Sequence, residues 1–327
     1  MWKPGVKRIC RAAPKTVATL ALASVSTFTP IVARQSQTDA GRDPKLGIAA
    51  EPANDDAYRA GLSQFNQRNY AIAISELAKY LKSGPTTERK RLMAVKALGL
   101  SYYFLGRYAE AVGPLSEAAA GSHDDSEVTY ALGMSYVRLR DSAGARNAFA
   151  ILFHVKPDSP QSGLLTAKIM IREQMEDLAQ AELEKITRVQ VDLPEVHYLL
   201  GELAISHGDL DQAIRELQYE ISINPGYSMS YYRLGDAYSR KNMWAEAERV
   251  LQNSIWLNPD FSSPYILLGK VYEQQNNLVA ANSMLTKALS MDPNNATTHY
   301  LLGTVLQRLG RTAEAAKQFD LYKGLKN

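Results

Sequence analysis

The chain repeats itself, and the period decides what it can fold into. A Leu-Gly pair occurs at Leu98-Gly99, Leu132-Gly133, Leu200-Gly201, Leu234-Gly235, Leu268-Gly269 and Leu302-Gly303. These glycines stand 34 residues apart, or 68 where one copy is disguised as Thr166-Ala167. An earlier copy, Ala60-Gly61, precedes Gly99 by 38 residues, the extra four being Glu88-Arg89-Lys90-Arg91. Twelve residues after each small residue comes alanine: Ala73, Ala111, Ala145, Ala179, Ala213, Ala247, Ala281 and Ala315. Four residues later comes a large apolar side chain: Leu77, Leu115, Phe149, Leu183, Leu217, Leu251, Leu285 and Phe319. Proline closes five units, as Pro85, Pro157, Pro225, Pro259 and Pro293. Eight alanines in phase are not a chance pattern.

Each position has a physical reading. Tyr102, Tyr136, Tyr238 and Tyr272 lie three residues after the glycine and share a helix face with the preceding leucine. The glycine lets a second helix approach, with the in-phase alanine as its expected contact. Gly106, Gly208, Gly310, Asn242 and Asn276 sit where a helix must stop and turn, which suits left-handed backbone angles. The alanine and the Leu or Phe after it share one face of the second helix. Proline then ends the unit.

Residues Tyr231, Leu234, Gly235, Tyr238, Ala247, Leu251 and Pro259 closely resemble the tetratricopeptide repeat, as do Tyr265, Leu268, Gly269, Tyr272, Ala281, Leu285, Ala288 and Pro293. The resemblance covers residues 54–327, in units starting near 54, 92, 126, 160, 194, 228, 262 and 296. It implies an all-α fold: a right-handed superhelical solenoid of about eight helix–turn–helix units. The unit at 160–193 departs from the pattern, with Thr166, Ala167 and Met170 at the Leu, Gly and Tyr positions and no proline at Val191. It reads either as drift within a normal unit or as a softer joint between stiffer halves.

Ahead of the repeats, charge is segregated. The net charge is +3, yet Lys3, Lys7, Arg8, Arg11 and Lys15 precede any acid, the first being Asp39. Thr16–Ala33 carries no charge. This order matches a secretory signal peptide over residues 1–33, cleaved after Ala33. Ser24, Ser26, Thr27, Thr29 and Pro30 make the run weakly apolar, which favours a cleaved leader over a spanning anchor. Export is expected, periplasmic or secreted, with membrane attachment only if the leader is retained. Residues 34–53 read as a flexible linker. Removing the leader turns +3 into −2 and takes away the only cysteine, Cys10. Nucleic acid is thereby disfavoured as a partner, and disulfides, Cys-based metal sites and Cys nucleophiles are excluded from the mature chain.

Catalytic motifs are missing. There is no H-E-x-x-H, G-x-S-x-G, P-loop or dinucleotide glycine motif, so no enzyme, cofactor or metal site is expected. His123, His154, His197, His207 and His299 are scattered, and His197 and His299 share one repeat position that suits a packing residue. Asp124-Asp125 sits where acids favour a helix start. Glu220 and its neighbours read as a solvated helix face.

By the resemblance, repeat positions 2, 5, 9, 12 and 13 of the first helices form a concave groove that binds an extended or helical protein segment. Position 5 carries Tyr58, Tyr130, Tyr198, Tyr232 and Tyr300, a candidate ladder whose alternative role is packing on neighbouring helices. The early groove is apolar, including Phe65, Tyr103 and Met134. The later groove is charged, including Glu202, Asp236, Arg240 and Lys270. The family's chaperone-tail clamp pairs Lys at position 5 with Asn at position 9; Lys96 is followed by Leu100, so that reading fails. The last helix, with Tyr322 and Leu325, is a candidate association edge, because a final unit has no neighbour to cover it. The function expected is an exported, non-enzymatic interaction scaffold for envelope or secreted complexes. The alternative is a self-associating solenoid, a homo-oligomer held by its apolar first units and last helix.

Overall fold

The computed structural model describes residues 54–122 and 125–326, and these form sixteen helices with no strand among them. The leader and linker lie outside the described residues. The helices pair as hairpins, one per repeat. In the first half these are α1 (Asn54–Asn66) with α2 (Tyr70–Lys82), and α3 (Glu88–Phe104) with α4 (Tyr108–Gly121). Next come α5 (Ser126–Arg138) with α6 (Ser142–Leu152), and α7 (Pro160–Arg172) with α8 (Glu176–Val189). In the second half α9 (Val196–His207) pairs with α10 (Leu210–Ile223), and α11 (Ser228–Arg240) with α12 (Trp244–Leu257). The last two hairpins are α13 (Ser262–Gln274) with α14 (Leu278–Met291), and α15 (Ala296–Arg308) with α16 (Thr312–Lys326). Every helix packs on its neighbours in sequence. The extra residues Glu88–Arg91 form the first turn of α3, capped by the Thr87 side chain and tied to α1 by a Lys90–Asp55 ion pair of 2.5 Å.

The repeat positions explain the packing. Seven of the eight in-phase alanines have no exposed surface, and Ala315 is likewise buried. The glycine notch is filled differently from the sequence expectation. A Cβ on Gly61, Gly99, Gly133, Gly201, Gly235, Gly269 or Gly303 would meet first the Leu or Phe four residues past the alanine, at 2.4–2.9 Å. The alanine is not the nearest group there; at Gly269 the Ala281 carbonyl follows Leu285, at 3.5 Å. A long side chain folded into the notch fills it more completely than a methyl group does.

The turn between paired helices is left-handed in all eight units. Gly106, Gly208, Gly310, Asn242 and Asn276 have positive φ as expected, and so do Arg68, Arg140 and Gln174 at the same repeat position. The geometry of the hairpin imposes the angle there, whichever residue stands in it.

The unit at 160–193 is joined differently. First helices touch in series, α1 to α3, α3 to α5, α9 to α11, α11 to α13 and α13 to α15, but α7 makes no comparable contact. The α6–α7 and α8–α9 interfaces are also sparser than the other junctions between units. The hydrophobic core nevertheless runs through this unit, from Met134 and Phe149 by Met170 and Leu183 to Leu203.

Candidate inner-face binding site

The first helices carry the groove positions, and the second half of the array gathers their charges. On α9, Glu202 takes a 2.6 Å ion pair from Arg233 of α11. On α11, Arg240 pairs with Asp236 at 3.0 Å, one helical turn away. Glu202, Ile205, Ser206, Arg233 and Arg240 line a cleft of about 250 Å³. Tyr198 lies beneath it, 6% exposed, with its ring 5.1 Å edge-on to Tyr227. Burial, and then the nearby Glu202 carboxylate, push the Tyr198 hydroxyl well above the ordinary tyrosine range. Tyr198 thus stays a neutral support beneath the Glu202–Arg233 pair. Two neighbouring positions complete the surface: Tyr232, half-buried with Arg233 5.5 Å over its ring, and the exposed Lys270 of α13. Among the described residues Lys270 has no hydrogen-bond or ion-pair partner.

The first half of the face is aromatic. Tyr70 and Phe104 stack at 4.9 Å, Phe65 meets Tyr70 at 5.9 Å, and Tyr103 meets Phe104 and Tyr108 at 5.5 and 6.0 Å. Phe104 is 47% exposed, which leaves an aromatic surface at the ends of α1 and α3. Burial pushes the Tyr103 hydroxyl up to about 12. Lys96, tied to Asp125 at 2.7 Å and Glu127 at 3.3 Å, is occupied, and Leu100 is fully buried.

The position-5 tyrosines form no continuous stack. Tyr58 packs on Tyr80 at 5.1 Å, Tyr130 on Phe149 at 6.3 Å and Tyr232 on Phe261 at 5.2 Å. Tyr300 packs on Phe319 at 6.0 Å and Tyr322 at 5.3 Å. Each ring turns to an aromatic of its own unit. Hydroxyls remain engaged as well: Tyr130 accepts from Arg172 at 2.8 Å, and Tyr58 donates to Met93 Sδ at 3.5 Å. Met134 and Tyr198 are core residues and offer no surface. Tyr300, 48% exposed, is the most open of the five.

At the array's end, Tyr322 is half-buried against Tyr300, with Lys326 Nζ 5.0 Å over its ring. Leu325 remains 40% exposed beside Leu321 at 43%, between Lys317, Asp320 and Lys323. The bare apolar edge therefore shrinks to two leucines on a largely polar helix.

One polar group acts differently from its sequence reading. Glu220 is not solvated: it is fully buried and accepts the backbone N–H groups of Glu195 at 2.9 Å and Tyr198 at 3.3 Å. It caps α9 from the neighbouring helix, since the residue before α9, Glu195, has φ of 74° and makes no side-chain cap. Asp125 does cap α5, accepting from the Val128 N–H at 3.2 Å. Asp124 and His123 lie outside the described residues. Among the described residues no cluster of three or more His, Cys, Asp or Glu side chains is placed to hold a metal ion, and no helix is long and apolar enough to cross a membrane.

Family models for the tetratricopeptide repeat match residues 58–126, 230–265 and 272–323. The chain is a tetratricopeptide-repeat protein. Repeats of this family are generally interaction scaffolds rather than enzymes. No curated protein matches the chain. Among solved structures, MamA (residues 41 to the end) from Desulfovibrio magneticus RS-1 is 23% identical, with 52% of this chain and 96% of that one covered and a TM-score of 0.49. YrrB, described as a TPR protein with an unusual peptide-binding site, is 15% identical over 56% of this chain and 93% of that one, with a TM-score of 0.48. Cut9, in its complex with Hcn1, is 17% identical over 77% of this chain and 52% of that one, with a TM-score of 0.47. Likenesses this distant carry no inference about a partner.

Proposed function

We propose that this tetratricopeptide-repeat array is a non-enzymatic scaffold that binds a segment of another protein along the inner faces of its first helices. One observation supports the reading: Glu202, Arg233 and Arg240 of the first helices α9 and α11 line a charged cleft beside the buried Tyr198. Its paired charges are already oriented, so a partner segment meets fixed donors and acceptors at little further ordering cost. The aromatic surface around Phe104 offers a second, apolar anchor on the same series of helices.

The basic, then uncharged, leader supports export through a signal peptide cleaved near Ala33, which puts the scaffold's work in the periplasm or outside the cell, on envelope or secreted complexes. Intact mass of the exported protein tests the leader: loss of residues 1–33 is expected, and a full-length membrane-embedded product contradicts it. A peptide array built from envelope and secreted proteins of the host tests the groove. Wild type should retain peptides that the Arg240→Glu, Lys270→Glu double variant releases, while both unfold at the same urea concentration. Equal retention by the two would contradict binding at this face.

A further inference from the structure

The residue at repeat position 4 latches the loop that enters its unit. Tyr231 donates its hydroxyl to the Pro225 carbonyl at 3.2 Å, and Tyr265 donates to Pro259 at 3.1 Å. His299 places Nε2 2.9 Å from the Pro293 carbonyl, and His197 places Nε2 3.0 Å from the Val191 carbonyl. All four reach back six residues along the chain. A phenol holds such a latch at any physiological pH, but an imidazole has a second nitrogen to satisfy.

The two histidines differ at that second nitrogen. His299 Nδ1 faces Gln318 at 2.6 Å, and an amide can turn its NH₂ toward a neutral ring. His197 Nδ1 faces Glu216 at 2.6 Å, and a carboxylate only accepts. Both contacts of His197 are therefore acceptors, and both are satisfied together only by the imidazolium. Neutral His197 keeps one donor, and its other nitrogen then points a lone pair at an acceptor less than 3.1 Å away.

The setting makes this consequential. His197 sits at the junction of units 4 and 5, where α8 and α9 pack sparsely and α7 touches the neighbouring first helices less than the other first helices do. Polar ties take over there: Lys168 to Glu195 at 2.5 Å, Ser206 to Glu176 at 2.8 Å, and Tyr219 to Asp192 at 2.8 Å. A second histidine, His207 of α9, faces Glu176 of α8 at 3.2 Å across the same junction.

We infer that His197 is a pH-operated latch on the joint between the two halves of the array, closed as the imidazolium between Glu216 and the Val191 carbonyl and released when it loses its proton. On release the remaining proton stays on Nδ1 toward Glu216, which frees the Val191 carbonyl and loosens the hold of units 1–4 on the half that bears the charged cleft. The groups facing the ring are Glu216, Tyr219 and Glu220 from α10 and the Val191 carbonyl from the loop, with Asp192 reached through Tyr219. Burial by itself lowers the affinity of the ring for its proton, but the Glu216 carboxylate, the Val191 carbonyl and Glu220 outweigh it and hold the net shift upward. With the folded value raised, the stabilisation is complete below the unfolded histidine range and is lost as pH rises through the folded value.

The test uses the full array, with ¹⁵N-detected histidine titration and amide exchange corrected for the intrinsic pH dependence. Wild-type His197 should show protons on both ring nitrogens at the lower pH, and amide protection at residues 190–193 should fall severalfold as it titrates. Glu216→Gln copies the Gln318 arrangement of unit 8 and lets a neutral ring keep both bonds. Its protection should be independent of pH from 5.5 to 8.5. Wild-type protection that stays flat over the same range, or a Glu216→Gln variant that loses protection as wild type does, would overturn the latch. Because the wild-type measurement stands alone, the idea remains testable if the variant does not fold.

Discussion

Gly235 and Leu251 share one notch: a Cβ on Gly235 would stand 2.6 Å from the Leu251 side chain, closer than such atoms approach in proteins. The relation recurs through the array and couples the two helices of each unit. Replacing Gly235 with valine should therefore push α11 and α12 apart. Overpacking of this kind costs about 1–3 kcal/mol. Contacts run between neighbours, so raised amide exchange should begin in units 5–7; uniform change from end to end would contradict the account.

Ala247 offers an independent check on the same hairpin. It has no exposed surface, although it is not the nearest group to the glycine. Ala247→Leu should cost about 1–3 kcal/mol in urea unfolding. A cost near zero would mean that α12 can roll away from its partner freely.

Gln174 holds a left-handed angle, φ 61°, at the turn between α7 and α8. Non-glycine residues are strained there by about 1–2 kcal/mol. Gln174→Gly should stabilise the array by about 0.5–1 kcal/mol after the greater freedom of glycine in the unfolded chain is deducted. A thermal melt that moves downward instead would show that the Gln174 side chain has a role beyond its backbone.

Glu220 should matter far more than a surface acid. Glu220→Ala leaves the amides of Glu195 and Tyr198 without their acceptor in a buried place. The expected loss is about 1–3 kcal/mol, read by denaturant unfolding. An exposed acid such as Glu314 should cost far less stability when neutralised.

The architecture was legible in the sequence because stacking forces small and large residues into fixed phase. Glycine, alanine and Leu or Phe cannot exchange places without a clash or a cavity, so the period survives in every unit. Less legible was anything set by the packing of one helix on another. Glu220 reads as an ordinary acid because its partners, two backbone amides of α9, leave no mark in residue types. Its position is held by Tyr80, Ala118, Leu152, Ile186, Ser254, Ala288 and Tyr322 in the other units, and an acid in an otherwise uncharged series was the available signal. Arg68, Arg140 and Gln174 hid the turn for a related reason: hairpin closure overrides their backbone preference. The groove was legible as a set of positions but not as a surface. Tyr198 and Met134 occupy groove positions yet are buried, while Arg233, at position 6, supplies the counter-charge to Glu202 that links α9 to α11.

The central claim is that partners bind along the first helices, and site-specific photocrosslinking in the native host tests it most directly. The crosslinker replaces Lys270, exposed on a first helix, or Trp256, 82% exposed on a second helix. Adducts to another protein at position 270 and none at position 256 are the predicted result. Adducts at 256 with none at 270 would contradict it and move the binding surface to the outer helices.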